Sequence, residues 1–414
     1  MRILLVNPPI FDFTAYDFWL QPYGLFRVAG RMQSSCSLSY FNFLVSHPRD
    51  AWGRGSFDGC YIPKPEAFRD IPRRFRRYGK PREEFRDYLL HHPFDAVLIQ
   101  TTMTYWYLGI REVVEDVRDL QPSAKIILGG VYASICPDHA RSLGADLVIE
   151  GKELDPLWRF LSIEPSGDLP FPWPRDQHYG VMKISEGCPF QCTYCSNTLT
   201  GQQFSLHPLE KSVGELLQMD RCGIRNVAFY DDALLYRSEE GLTPFLEAVL
   251  DSNIRFAFHT PNALNARLMT ADIAQLMVRA GFTSFFIGLE SSSFSWQRAT
   301  GGKVSEEDFT AAVQYLKEAG AGAVTTYIIV GHPLSDDQNV EASIELAHAR
   351  GTRVILSEFS PIPGTIDGEK CRPWADLKDP LSHNKTAFAI RRLGFEELNR
   401  LKTLAHSLNA ALSS

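Results

Sequence analysis

"ISEGCPFQCTYCSN" (Ile184–Asn197) sets three cysteines, Cys188, Cys192 and Cys195, at C-x3-C-x2-C spacing on one short stretch. A tetrahedral zinc site wants four ligands. A disulfide framework wants an even set and an oxidising compartment. Three clustered thiols among eight cysteines in a 414-residue chain meet neither need and point to a reducing cytoplasm. Thiolates are the usual protein ligands of iron–sulfur clusters. Three on one loop would suit a cubane with one iron left open. The loop follows an apolar strand candidate, Val181–Ser185. It therefore stands at the carboxyl end of a strand, where α/β sheets carry their chemistry.

From that strand onward, short apolar runs alternate with helical patterns. Strands are expected at Asn226–Tyr230, Arg255–His259, Ser284–Leu289, Thr325–Val330 and Arg353–Phe359. Helices are expected near 208–221, 240–252, 270–280, 304–319 and 336–350. Six β/α units make an open, partial (β/α)6 barrel of the TIM type, not a closed eight-stranded one. Upstream, Ile3–Asn7, Leu38–Leu44, "FDAVLIQTT" and "KIILGG" are strand candidates separated by helical patterns. That alternation predicts a doubly wound, Rossmann-like parallel sheet. The proline-rich stretch "SIEPSGDLPFPWPRDQHYG" reads as a linker. The expected organisation is an α/β chain with a first domain over 1–160, a linker over 161–180, the barrel over 181–370 and a C-terminal loop and helix over 371–414. The last helix is expected from about Phe395 to Leu412.

Composition bounds the rest. Apolar residues make up 44% and charged residues 22%, ordinary for a globular chain. A net charge of −7 argues against nucleic acid or an acidic membrane surface as partner. No apolar run reaches the roughly 18 residues of a spanning helix. "MRILLVNPPI" reads as a first strand and not as a leader. Seven arginines between Arg69 and Arg86 read as a solvated helical arm, with a basic lid for a ligand's phosphate or carboxylate as the alternative. Cys222, at a helix end, is expected as a small buried hydrophobe.

The cysteine loop after the first of six β/α units resembles the radical S-adenosylmethionine (SAM) enzymes. In that family three cysteines hold a [4Fe-4S] cluster, and SAM chelates the fourth iron. The resemblance makes Cys188, Cys192 and Cys195 the cluster ligands and Tyr194 a ring near the adenine. Asp231 and Asp232, in "FYDDALL", stand where the SAM ammonium would be met; two adjacent carboxylates after an apolar strand are costly to bury without a cation. His259, Asn262 and Asn265 follow the third strand and are candidates to touch SAM or substrate, or polar caps of that loop. Glu290 resembles the acidic residue near the SAM ribose, and Gly331 would let the backbone approach the adenine. The resemblance implies one-electron cleavage of SAM to methionine and a 5′-deoxyadenosyl radical that takes hydrogen from a substrate carbon. It also implies an external electron donor such as flavodoxin or ferredoxin.

A doubly wound domain before such a core is similar to the cobalamin (B12)-binding class. By that resemblance Pro9, Thr101, Thr102, Tyr105, Gly129 and Gly130 would lie against the corrin or its nucleotide tail. The D-x-H-x-x-G motif that supplies a cobalt-ligating histidine elsewhere is absent; "DQHYG" (Asp176–Gly180) is one residue short. The reading is a cobalamin-dependent C-methyltransferase of a small molecule. Its alternatives are a cobalamin-free enzyme for a cyclisation or rearrangement, with residues 1–155 as a lid, and a sensor that keeps the cluster without catalysis. His383, Asn384 and Lys385 are further candidates to touch substrate.

Overall fold

The computed structural model of the protein describes residues 1–167, 178–199, 203–252 and 254–412. Half of the linker, residues 168–177 with Asp176, lies outside the described residues. By its contacts the chain divides into two units. The first takes residues 1–174 and 378–384, and the second takes 175–377 and 385–414. Residues 378–384 thus belong with the N-terminal unit, inside a region that reads in the sequence as a C-terminal segment.

The first unit is built on five parallel strands. Their order in space is Leu147–Ile149, Lys125–Gly130, Ala96–Thr101, Arg2–Asn7 and Ser37–Asn42. Numbered along the chain, that order is 2-1-3-4-5, a doubly wound arrangement that reverses direction between Arg2–Asn7 and Ala96–Thr101. The central strands read as continuous apolar runs because both faces are covered: Ile3, Leu4, Ala96, Val97 and Ile126 have no exposed surface. Helix Tyr107–Leu120 can start hard against the Pro8–Pro9 turn only because residue 109 is glycine. A Cβ at Gly109 would stand 1.8 Å from the Pro9 carbonyl oxygen.

Two three-stranded antiparallel sheets were not foreseen. One joins Ile10–Asp12, Phe75–Tyr78 and Gly59–Ile62; the other joins Tyr16–Asp17, Gly55–Phe57 and Ser46–Pro48. They correct the reading of the arginine-rich segment as one helical arm. Residues 75–78 are a strand, and only Arg82–His91 is an α-helix. Strand alternation divides the arginines. Arg77 turns inward to a buried pair with Glu112 at 2.6 Å, while Arg76 is cross-strand from Tyr61.

The second unit holds six parallel strands in chain order: Gly180–Met182, Asn226–Phe229, Ala257–His259, Phe282–Glu290, Ala323–Val330 and Arg353–Glu358. The first and last do not pair, so the topology is an open (β/α)6 half-barrel. A short strand, Leu264–Asn265, adds to Phe282–Glu290. The helices are 209–221, 242–251, 271–280, 306–318 and 337–349, each within two residues of expectation. Two of them show why. Ser305 and Asp308 form a reciprocal capping box, and Asp336 accepts from the Asn339 amide. The C-terminal segment is two helices, Lys385–Leu393 and Phe395–Ala411, broken at Gly394. Cys222 is exposed, against expectation: the helix ends at Arg221 and turns it outward.

Candidate active site

The cysteine loop begins where strand Gly180–Met182 ends. Gly187 has φ +78, a left-handed turn that favours glycine, and Cys188 follows it. Cys192 is buried, and Cys188 and Cys195 are half-buried. Burial raises all three thiols, Cys195 to about 11; Cys188 also feels Cys192, and Cys195 feels both of the others. The Lys303 ammonium pulls each of them the other way. As thiols they are weak ligands; binding a metal would deprotonate them. Among the described residues no three His, Cys, Asp or Glu side chains already converge as a metal site.

Two carboxylates brace this loop from opposite ends. Asp231, 3% exposed, turns back toward the strand end. Its Oδ1 accepts from the Ile184 amide at 3.1 Å, the Ser185 amide at 2.7 Å and the Ser185 hydroxyl at 2.6 Å. Burial pushes it up to about 7, against the pull of those donors and of Lys183. At the far end, Asp367 accepts from the Thr193 hydroxyl, and its own amide donates to the Thr193 carbonyl at 3.1 Å. Asp367 also takes Lys370 at 2.7 Å and His332 Nε2 at 3.1 Å. Burial opposes its charge, but these partners hold it down to about 2.

His332 has no exposed surface. Its Nδ1 accepts from Trp296 Nε1 at 3.0 Å and from the Leu334 amide at 3.2 Å. That fixes the proton on Nε2, which donates to Asp367. Burial lowers the ring's basicity, and the two N–H donors on Nδ1 explain why a second proton is unwelcome. Tyr194 packs on this group, 5.7 Å from the Trp296 ring and 6.1 Å from His332.

The other expected residues fall into two sets. Asp232 is partly exposed and lies 3.4 Å from Lys183, which also reaches Glu186 at 3.3 Å. Burial works against the Lys183 charge, but Asp232 and Glu186 outweigh it and raise the pKa. Glu290 is buried, and burial pushes its carboxyl up against Lys303 at 3.7 Å. Its φ of +64 is strained for a non-glycine, and the strand register shifts there. Such outliers gather at functional sites. Asn262 is exposed and donates to the Tyr230 carbonyl at 2.8 Å. Asn265 caps the turn at Arg267, while its buried Nδ2 has no partner among the described residues.

His259 and Gly331 serve the fold. His259 is fully buried, with Nδ1 on Ser284 at 2.7 Å and Nε2 on Asn226 at 3.3 Å. Gly331, φ +82, admits the helix Lys385–Leu393, since a Cβ would meet Ala389 at 3.1 Å. Sequence reasoning missed Lys183, Lys303, His332 and Asp367. Only His332, beside Gly331 at a strand end, carried a local signal.

In the first unit, a crevice opens at the strand reversal, lined by Asn7, Pro9, Gln21, Gln100, Thr102 and Trp106 among others. Its enclosed part is about 20 Å³, so a large flat ligand would lie across its mouth. Thr101 is buried and spent: its hydroxyl donates to the Gly129 carbonyl and accepts from the Ala133 amide. Tyr105 is 2% exposed. Gly130, φ +116, is required by the turn itself, because a Cβ would stand 2.2 Å from the Thr101 carbonyl oxygen. Gly129 is open, with nothing nearer than 3.7 Å. In the segment 378–384, His383 bonds Thr104 and Asn384 bonds Asp12, both buried.

Comparison with known proteins agrees with this geometry. Residues 182–347 match the model of the radical SAM superfamily. An uncharacterised methyltransferase of Pyrococcus horikoshii is 26% identical over 88% of this chain and 82% of its own length. A threonylcarbamoyladenosine tRNA methylthiotransferase of Thermotoga maritima is 25% identical over 62% of this chain and 64% of its own. The radical SAM methyltransferase TsrM of Kitasatospora setae, solved with cobalamin and a [4Fe-4S] cluster bound, superposes with a TM-score of 0.69 at 13% identity. That alignment covers 97% of this chain and 90% of TsrM. Residues 182–347, which hold the cysteine loop and most of the half-barrel, therefore match a radical SAM domain, and the fold of the chain is like that of TsrM.

Proposed function

We propose that the protein is a cobalamin-dependent radical SAM methyltransferase that acts on a carbon of a small molecule. The observation that carries the reading is the cysteine loop. Three thiols stand on it, Asp231 and Asp367 brace its two ends, and Lys303 and Glu290 face it. Cys188, Cys192 and Cys195 would hold the cluster, which supplies the electron that cleaves SAM. Asp232 offers a partly exposed carboxylate for the SAM ammonium. Glu290, held in a strained conformation beside Lys303, offers an acceptor for the ribose hydroxyls. Tyr194, packed on Trp296, would wall the site against water. An external one-electron donor completes the set.

Cobalamin enters through the first unit. A parallel sheet that reverses order between Arg2–Asn7 and Ala96–Thr101 binds ligands outside the carboxyl ends of those strands. Asn7, Gln21, Gln100 and Thr102 offer polar groups there, and Gly129 leaves room for a tail. The likeness to a cobalamin-bound methyltransferase over most of both chains supports the assignment. The test is anaerobic reconstitution with hydroxocobalamin followed by gel filtration. Corrin absorbance should travel with the protein. Protein that cleaves SAM but elutes without corrin would end the methyltransferase reading and leave residues 1–155 as a lid.

A further inference from the structure

The two antiparallel sheets of the first unit enclose a second concavity, built by none of the residues at the carboxyl edge of the parallel sheet. Its volume is about 540 Å³, and Arg49, Arg73, Arg74, Arg76, Tyr61 and Asp58 are in its lining. That size lies in the range of small-molecule sites. Four arginines and one aspartate are in its lining, and Asp58 is already met by His47 at 2.8 Å.

The guanidinium groups are held in place. Tyr61, 58% exposed, is cross-strand from Arg76 and is flanked by the Arg74 and Arg76 guanidinium groups at 5.0 and 4.9 Å from its ring. Arg76 also lies 5.2 Å from the Tyr78 ring, and its terminal nitrogen donates to the Gly59 carbonyl at 2.9 Å. Its Nε is buried, with no hydrogen-bond partner among the described residues. Arg49 is oriented by Ser56 at 3.1 Å. Neither Arg74 nor Arg76 has a carboxylate partner among the described residues, whereas Arg77, one residue on, is fully paired with Glu112. Strand alternation thus spends one arginine on the fold and turns its neighbours to the concavity.

We infer that this concavity is a second ligand site, for a small molecule bearing at least two negative charges as phosphate or carboxylate groups. Guanidinium forks suit such oxyanions, and stacking on tyrosine keeps them preorganised. A pocket of this size set in a chain of net charge −7 favours a small polyanion over an extended RNA backbone. The site rests only on the first unit and stands apart from the SAM chemistry proposed above.

The test uses the full chain and three probes in titration calorimetry: inorganic pyrophosphate, citrate and a single-stranded RNA oligonucleotide. Pyrophosphate or citrate should bind saturably below about 1 mM, and which one binds tighter separates phosphate from carboxylate recognition. Exposed Arg74→Ala should weaken that binding by about ten-fold, and Arg74→Glu by more, with unfolding temperatures unchanged. Arg49→Ala, next to the other antiparallel sheet, should act in the same direction. The inference is overturned if neither small anion binds, if both bind equally well to Arg74→Glu, or if only the RNA binds and loses affinity in the same variants.

Discussion

Replacing Asp231 separates a carboxylate that builds the cysteine loop from one that serves a ligand. Asp231→Ala strands the Ile184 and Ser185 amides and the Ser185 hydroxyl, all now received by one oxygen. Each stranded buried donor costs about 1–3 kcal/mol, and water entering the gap recovers part, so the net loss is about 3 kcal/mol. At roughly 2–4 °C per kcal/mol for a domain of this size, the unfolding temperature should fall by about 6–12 °C. Asp231→Asn keeps Oδ1 and should cost about 1 kcal/mol or less. Iron content after reconstitution should drop in the alanine variant and survive in the asparagine variant, because Cys188 follows three residues after Ser185. The pH dependence has a definite sign. Burial raises Asp231 from 3.8 to about 7, so the folded state binds the extra proton between those values. This group's contribution is therefore greatest below about pH 4 and is lost as pH rises through about 7, on the order of 4 kcal/mol in all. Asp231→Asn should remove that slope. Thermal unfolding by circular dichroism from pH 5 to 8, with iron assays, measures both effects. Equal stability and iron in wild type, Asn and Ala variants would refute the bracing role.

Asp367 should act in the opposite direction. Held down to about 2, it stabilises above about pH 4 and loses that contribution as pH falls toward 2. Asp367→Asn should cost about 2 kcal/mol at pH 7 and flatten this acid limb, read by urea unfolding at pH 3 and 7. Asp232→Asn should leave iron content intact and weaken SAM binding by about ten-fold, measured by equilibrium dialysis; unchanged affinity would move the ammonium contact elsewhere. Gly129→Val should leave the fold intact and abolish corrin retention. Gly130→Val should destabilise the protein whether or not corrin is offered, since its Cβ would strike the Thr101 carbonyl.

The half-barrel was legible because its units repeat one pattern: an apolar run, a glycine or polar loop, then an amphipathic helix, in three of the five cases opened by a side-chain cap. Thr270, Ser305 and Asp336 each announce a helix start in the sequence, and each accepts an amide in the structure. The antiparallel sheets were hidden for the converse reason. Strands such as Gly55–Phe57 and Gly59–Ile62 are three or four residues long, and Phe75–Tyr78 carries two arginines. Two-residue alternation over so short a span is lost in charge, so the segment reads as solvated. Within the site, the three thiols share one loop and could be found by spacing alone. Their supports could not. Thr193 and Asp367 are 174 positions apart, and Lys303 reaches Glu290 from a loop with no motif of its own. His259 shows the limit of reading strand ends: a polar residue there looks available, yet both ring nitrogens are occupied inside the sheet.

The measurement closest to the centre of this account is SAM cleavage by reduced, anaerobically reconstituted protein. With dithionite as reductant, wild type should carry about four irons per chain and convert SAM to 5′-deoxyadenosine, detected by liquid chromatography with mass spectrometry. The variant with Cys188, Cys192 and Cys195 all replaced by alanine should lose the iron, the broad visible absorbance and the product together. Wild type that is loaded with iron yet leaves SAM intact, or a triple variant that keeps both iron and product, would contradict it.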